Sequence, residues 1–149
     1  MTKYKDIKIE AYDPKGEDFS RVGRALSAFS LDKGASEYIE VSKAFAAVAD
    51  GKVVGEAIAT QLSWGITTLN LLHVDETHRG VGIGRQLVEA VENWARENNA
   101  TAIDLWTPEF QGRGFYEKLG YRITKFLPTN VYLDGKRQFR LDYSKTLSQ

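Results

Sequence analysis

The chain has no cysteine, three prolines, two histidines and no net charge, and each scarcity removes a class of function. Without cysteine there is no disulfide scaffold, no Cys-ligated metal and no cysteine nucleophile. Twenty basic residues balance twenty acidic ones, so no net field argues for nucleic acid or an anionic membrane as the main partner. No apolar run approaches the ~18 residues needed to cross a bilayer. The opening Met-Thr-Lys-Tyr-Lys-Asp lacks the apolar segment of a secretory signal. A cytoplasmic protein is expected. His73 and His78 stand five apart with no third ligand nearby, so no metal is expected. The prolines fall singly at Pro14, Pro108 and Pro128, and no repeat or linker divides the chain. Residues 1–149 therefore read as one domain, large enough to bury roughly 68–70% of its unfolded surface.

What is present is a mixture of strand and helix patterns. Ile7 to Tyr12 reads as a first strand, and Phe19, Val22, Leu26 and Phe29 then fall on one face of a helix from about Asp18. Ala44 to Ala49, Asp50-Gly51 and Lys52 to Gln61 have the form of a hairpin, since Asp-Gly accepts a type I′ turn. Thr67 to Val74 reads as a central strand covered on both faces, with Leu69 and Leu71 opposing Leu72 and Val74. Ile83, Leu87, Ala90, Val91, Trp94 and Ala95 give the next helix its inner stripe, and Asn98-Asn99 ends it. Ala102 to Thr107 is a strand parallel to its predecessor, Gly112 to Leu119 a short helix, and Tyr121 to Leu127 and Gln138 to Lys145 an antiparallel end. Pro128 to Arg137 reads as a long connecting loop. The class is α/β, with a mixed sheet of about six or seven strands and about four helices.

The most informative segment is Arg79-Gly80-Val81-Gly82-Ile83-Gly84, between a strand and a helix. That order gathers backbone N–H groups at a helix N-terminus, where an anion such as pyrophosphate is favoured. A dinucleotide G-x-G-x-x-G would need glycine at Arg85 or Leu87, and no Walker lysine follows. The loop therefore points to a phosphorylated cofactor of another kind.

Arg79, Gly82 and Gly84 in that loop, and Phe115, Tyr116, Lys118, Gly120 and Tyr121 about thirty residues later, resemble the two signature segments of the GNAT superfamily of acyl-CoA-dependent N-acetyltransferases. Trp64-Gly65, Leu71-Leu72, Val74-Asp75-Glu76 and Phe110-Gln111 look like a bacterial branch of it. The resemblance implies a single GNAT-like domain using acetyl-CoA. It places the CoA pyrophosphate on the amides of Arg79, Gly80, Val81, Gly82, Ile83, Gly84 and Arg85, and pairs the pantetheine arm with the strand edge at Leu72, His73 and Val74. It implies a Tyr116 hydroxyl beside the sulfur and a Val74 N–H polarising the thioester oxygen. Many relatives carry an asparagine where this chain has Glu109; Gln111 is the candidate substitute. A homodimer is common in the family and generally.

Amine acetylation needs a neutral nucleophile, which at pH 7 costs an amine of pKa 10.4 roughly 4.6 kcal/mol. Glu56, His73, Asp75 and Glu76 are the candidate bases, with His73 and Asp75 on one strand face; a satisfied core histidine is the alternative for His73. The acceptor is expected to be a small-molecule or peptide amine, with Tyr38, Trp64 and Tyr132 as candidate contacts. A CoA-binding sensor without turnover is the competing reading.

Overall fold

This computed structural model describes residues 7–147. The opening Met1–Asp6 lies outside them. The chain divides at Glu37/Tyr38 into two compact units. In the first, helix α1 (Gly16–Asp32) is held at its start by the Asp18 carboxylate, which accepts from the Lys15 N–H at 2.8 Å, and the chain turns at Gly34 after its end. Phe19, Val22, Leu26 and Phe29 share its apolar face and are exposed. Ile7 to Tyr12 is not a strand: its alternating Ile7 and Ile9 are exposed and no strand pairs with it among the described residues. Alternation alone does not make a strand without a neighbour to bond.

The second unit is a six-stranded mixed sheet with three helices. Strands β1 (Glu40–Ala49) and β2 (Lys52–Leu62) form the expected hairpin, with Asp50 at φ 50° and Gly51 at φ 75°. β3 (Ile66–Val74) is antiparallel to β2, and helix α2 (Ile83–Glu97) carries the chain over to β4 (Ala102–Pro108), parallel to β3. The spatial order is β1-β2-β3-β4-β6-β5, with β5 (Arg122–Leu133) at the edge and β6 (Lys136–Thr146) inside it. The core lies between one sheet face and α2, where Leu87, Val88, Val91 and Ala95 meet Ala57, Ala59, Leu69, Ile103, Leu105, Leu141 and Tyr143.

Three expectations are corrected here. β3 is not covered on both faces: a bulge at Asn70 shifts the register with β2 between Ile58/Ala59. Leu69, Leu72 and Val74 therefore all contribute to the core side, while Leu71 is 65% exposed. The extra residue reverses the alternation. The span Pro128 to Arg137 is not a loop, because β5 and β6 continue through it to a tight Asp134-Gly135 turn at φ 51° and 75°. Pro128 is tolerated since β5 is an edge strand with a register shift beginning there. The helix expected over Gly112 to Leu119 is two short ones, α3 (Glu109–Gly112) and α4 (Phe115–Lys118), parted where Gly114 takes φ 91°.

Candidate active site

Two local features open a site at the C-terminal end of β3. β3 and β4 pair only at Ile66↔Ala102, Thr67↔Ile103 and Thr68↔Asp104. Beyond Thr68 they part. The Asp75 N–H donates to the Val54 carbonyl at 2.8 Å. Hydrogen-bonded and non-bonded pairs alternate in an antiparallel ladder. Val74 opposite Gly55 and Leu72 opposite Ala57 are thus the non-bonded pairs, whose main-chain groups face away from β2 into the opening. Arg79 Nε donates to the Val74 carbonyl at 2.8 Å, which leaves the Val74 N–H toward the gap.

After β3 a short 3₁₀ turn (Glu76–His78) leads into the glycine loop. Gly82 takes φ 90° as the residue before α2, a conformation that L side chains adopt only at a cost. The first helical bond runs from Gln86 N–H to the Gly82 carbonyl at 3.0 Å, so the amides of Ile83, Gly84 and Arg85 have no partner within the helix. Gly84 is required for another reason: an added Cβ would lie 3.2 Å from Phe115 Cζ. Here α2 packs directly on the aromatic start of α4.

These parts enclose a cleft of about 700 Å³, within the usual range for a small-molecule site. Of the residues singled out for a cofactor, Leu72, His73 and Val74 on β3, Arg79, Gly80, Gly82, Ile83, Gly84 and Arg85 on the loop, and Gln111 on α3 all line it. Val81 does not and is 70% exposed. Phe110, Phe115 and His78 line it too, and were not singled out as cofactor contacts. Phe115 stands inside the second signature segment, so its neighbourhood to Tyr116 was the available signal.

Tyr116 itself is nearly buried behind Phe115 and is not among the cleft-lining residues. Its ring meets Phe115 and Tyr121 edge-on at 5.0 and 5.8 Å and Tyr143 at 5.5 Å. Burial first, and the neighbouring Tyr143 second, push its hydroxyl up to about 12. It is a permanent proton carrier at neutral pH.

The candidate bases cluster loosely. Glu56 on β2 is directly opposite His73 on β3, and His73 Nε2 stands 3.6 Å from Asp75 Oδ1, an ion-pair distance too long for a hydrogen bond. The His73 side chain is 69% exposed, so it is not a core histidine. Glu109 is committed elsewhere: its carboxylate accepts from the Phe139 N–H at 2.9 Å and from Arg113 at 3.0 Å.

The structure does not bring the three suggested acceptor contacts together. Tyr38 and Trp64 touch edge-on at 5.1 Å beside the start of β3, whose length of nine residues separates them from Val74 by about 26 Å at 3.3 Å per residue. Tyr132 lies next to the β5–β6 turn, its hydroxyl accepting from Arg137 Nε at 2.8 Å. Among the described residues no three His, Asp or Glu side chains are grouped to hold a metal ion. Among them also, no helix is long and apolar enough to cross a membrane.

The model of the acetyltransferase (GNAT) family matches residues 11–121. The chain belongs to the GNAT acetyltransferase family. Blasticidin-S acetyltransferase of Streptomyces morookaense is 31% identical over 93 residues, which are 60% of this chain and 66% of that protein, less than two thirds of its length. Among solved structures, an acetyltransferase from Bacillus cereus ATCC 14579 superposes with a TM-score of 0.78 at 20% identity, covering 93% of this chain and 98% of that one. An aminoglycoside 6′-N-acetyltransferase complexed with coenzyme A gives a TM-score of 0.62 at 24% identity, over 72% of this chain and 74% of that one. The cofactor of the GNAT family is acetyl-CoA. Three features of this chain fit it: unpartnered amides at a helix start for a pyrophosphate, an open strand edge for an amide-bearing arm, and a cleft of suitable volume between them.

Proposed function

We propose that this protein transfers the acetyl group of acetyl-CoA directly to a primary amine of a small molecule or peptide within a ternary complex. The observation that carries the reading is the parting of β3 and β4 beside the α2 N-terminus, which leaves the outward-facing Val74 N–H without a strand partner. Bound there, the cofactor supplies an acyl thioester. The amides of Ile83 to Arg85 hold its pyrophosphate, and the Val74 N–H polarises the thioester oxygen. Direct transfer would join the amine nitrogen to the acyl carbon as the C–S bond breaks, with the CoA thiolate as the leaving group. His73, assisted by Glu56 and Asp75, receives the amine proton through water, a role needed because forming the neutral amine at pH 7 costs roughly 4.6 kcal/mol. Tyr116, at about 12, is a weaker acid than a thiol near 8.5, so it donates a hydrogen bond to the departing sulfur and keeps its proton. No cysteine exists to carry the acetyl group, which favours direct transfer.

One observation favours a second reading, a CoA-binding sensor. The candidate bases are exposed and His73 is not hydrogen-bonded to Asp75. The test is thermal unfolding with CoA, acetyl-CoA, ATP and NAD, followed by thiol release across an amine panel. A ligand at about 100 times its dissociation constant adds roughly 2.7 kcal/mol, or several degrees in Tm. Stabilisation by CoA species only, with amine-dependent thiol release that Tyr116→Phe slows about 10²-fold, is expected. Stabilisation with acetyl-CoA left intact supports the sensor. A folded sample that neither CoA species stabilises overturns both.

A further inference from the structure

Outside the cleft lies a buried ionic cluster, formed by described residues, that the proposed chemistry does not use. Glu92, on the inner face of α2, is 5% exposed. Lys145 of β6 reaches it with Nζ at 2.9 Å and 3.1 Å from its two carboxylate oxygens, and donates a third bond to the Leu119 carbonyl at 2.9 Å. The buried Tyr121 hydroxyl donates to Glu92 Oε2 at 3.3 Å. Leu119 closes the C-terminal end of α4, where carbonyls lack helical partners and a cation is favoured. A cavity of about 250 Å³, lined by Val88, Glu92, Lys118, Leu119 and Lys145 among others, lies between α2 and that end of α4. At this end, away from the Gly84–Phe115 contact, Lys145 of β6 ties Glu92 of α2 to the Leu119 carbonyl after α4.

The consequence reaches Tyr116 by two routes. The Leu119 and Tyr121 amides both donate to the Tyr116 carbonyl, at 3.0 and 3.1 Å. The Tyr121 ring stacks edge-on against the Tyr116 ring. Fixing Leu119 and Tyr121 therefore fixes both the main chain and the ring of Tyr116 relative to α2, the helix whose first turn carries the phosphate amides.

We propose that the Glu92–Lys145 pair is a positioning device that sets the Tyr116 hydroxyl against the cofactor loop, so that it governs turnover and not cofactor binding. This rests on the reading of Tyr116 as the hydrogen-bond donor to sulfur. An ion pair replaced as a whole by neutral side chains is often tolerated, whereas removing one partner strands a buried charge. Glu92→Gln/Lys145→Met is therefore the informative variant: it removes both charges and the donor to Leu119, while an amide oxygen remains for Tyr121.

The double variant is expected to keep Tm within about 3 °C and the acetyl-CoA KM within about twofold, to lose kcat about tenfold, and to exchange the Leu119 and Tyr121 amides at least about tenfold faster. Lys145→Arg, which keeps the cation and its donors, is expected to retain kcat within about threefold. An unchanged kcat or unchanged exchange at those amides in the folded double variant overturns the proposal, as does an equal loss in Lys145→Arg. Tyr116→Phe run in parallel separates the two claims. Full activity in that variant overturns the role given to Tyr116. With no turnover in the parent protein, it is the proposed function that falls, and the amide exchange alone still decides whether the pair holds α4.

Discussion

Tyr116 combines an exposure of only 7% with a place one residue behind a cleft wall. The first has a consequence independent of any activity. Unfolded, the phenol ionises near 10; folded, it holds its proton to about 12. Between those values the unfolded state binds fewer protons than the folded one, so stability is full below pH 10 and falls as pH rises through the window. Two units correspond to at most about 2.7 kcal/mol. Burial raises Tyr121 and Tyr143 in the same direction. Urea denaturation measured from pH 9.5 to 12 is therefore expected to show a steep decline that Tyr116→Phe makes shallower by that amount. Identical slopes in the two proteins would show that the Tyr116 hydroxyl is hydrated in the folded state. The tyrosine and its packing beside Phe115 were legible in the sequence, but its burial against Tyr121 and Tyr143 was not, because that depends on which strands the short helices land on.

At the scale of elements, periodicity was a good guide wherever one face is buried. The stripe on α2 was legible for that reason, and the Asp50-Gly51 hairpin from its turn residues. The β3 bulge was not: Asn70 carries no mark of an inserted residue, and the alternation reads smoothly through it onto the wrong face for Leu71. That one residue also turns Leu72 and Val74 to the core side. The second Asp-Gly turn, at Asp134-Gly135, stands inside the span read as a long connecting loop, and the edge strand β5 accommodates Pro128. Tyr38 and Trp64 are candidate acceptor contacts in the sequence, and only strand direction reveals that they stand at the opposite end of β3. The loop glycines can be told apart by experiment. In Gly84→Ala the new methyl group presses Phe115 at 3.2 Å, so the acetyl-CoA KM is expected to rise about three- to tenfold while Tm holds, since alanine favours the helix. In Gly82→Ala the methyl group meets nothing within 4 Å, but φ 90° is strained for alanine by about 1–2 kcal/mol. Tm is expected to drop by about 2–8 °C. Parallel changes in the two variants would contradict this division between contact and conformation.

For the molecule as a whole, charge balance decides how an anionic ligand is found and held. With twenty charges of each sign there is no net attraction for a polyanion at long range. Of the local arginines, Arg79 is anchored by its Nε to the Val74 carbonyl, and Arg85 is paired with Glu89 at 3.0 Å, both side chains of that pair mostly exposed. Exposed pairs of that kind contribute little. On the proposed reading, phosphate binding at this site depends mainly on main-chain N–H groups fixed at the start of α2, whose interaction acts at contact distance. Between 0.1 M and 1 M salt the Debye length shrinks from about 10 Å to about 3 Å, which suppresses long-range attraction and leaves hydrogen bonds in contact largely intact. Titration calorimetry with CoA is accordingly expected to give dissociation constants that differ by less than about threefold across that range, and Arg85→Ala is expected to weaken binding by no more than that. A tenfold or greater loss with salt, abolished in Arg85→Ala, would move the source of affinity from the backbone of the loop to the arginine side chain.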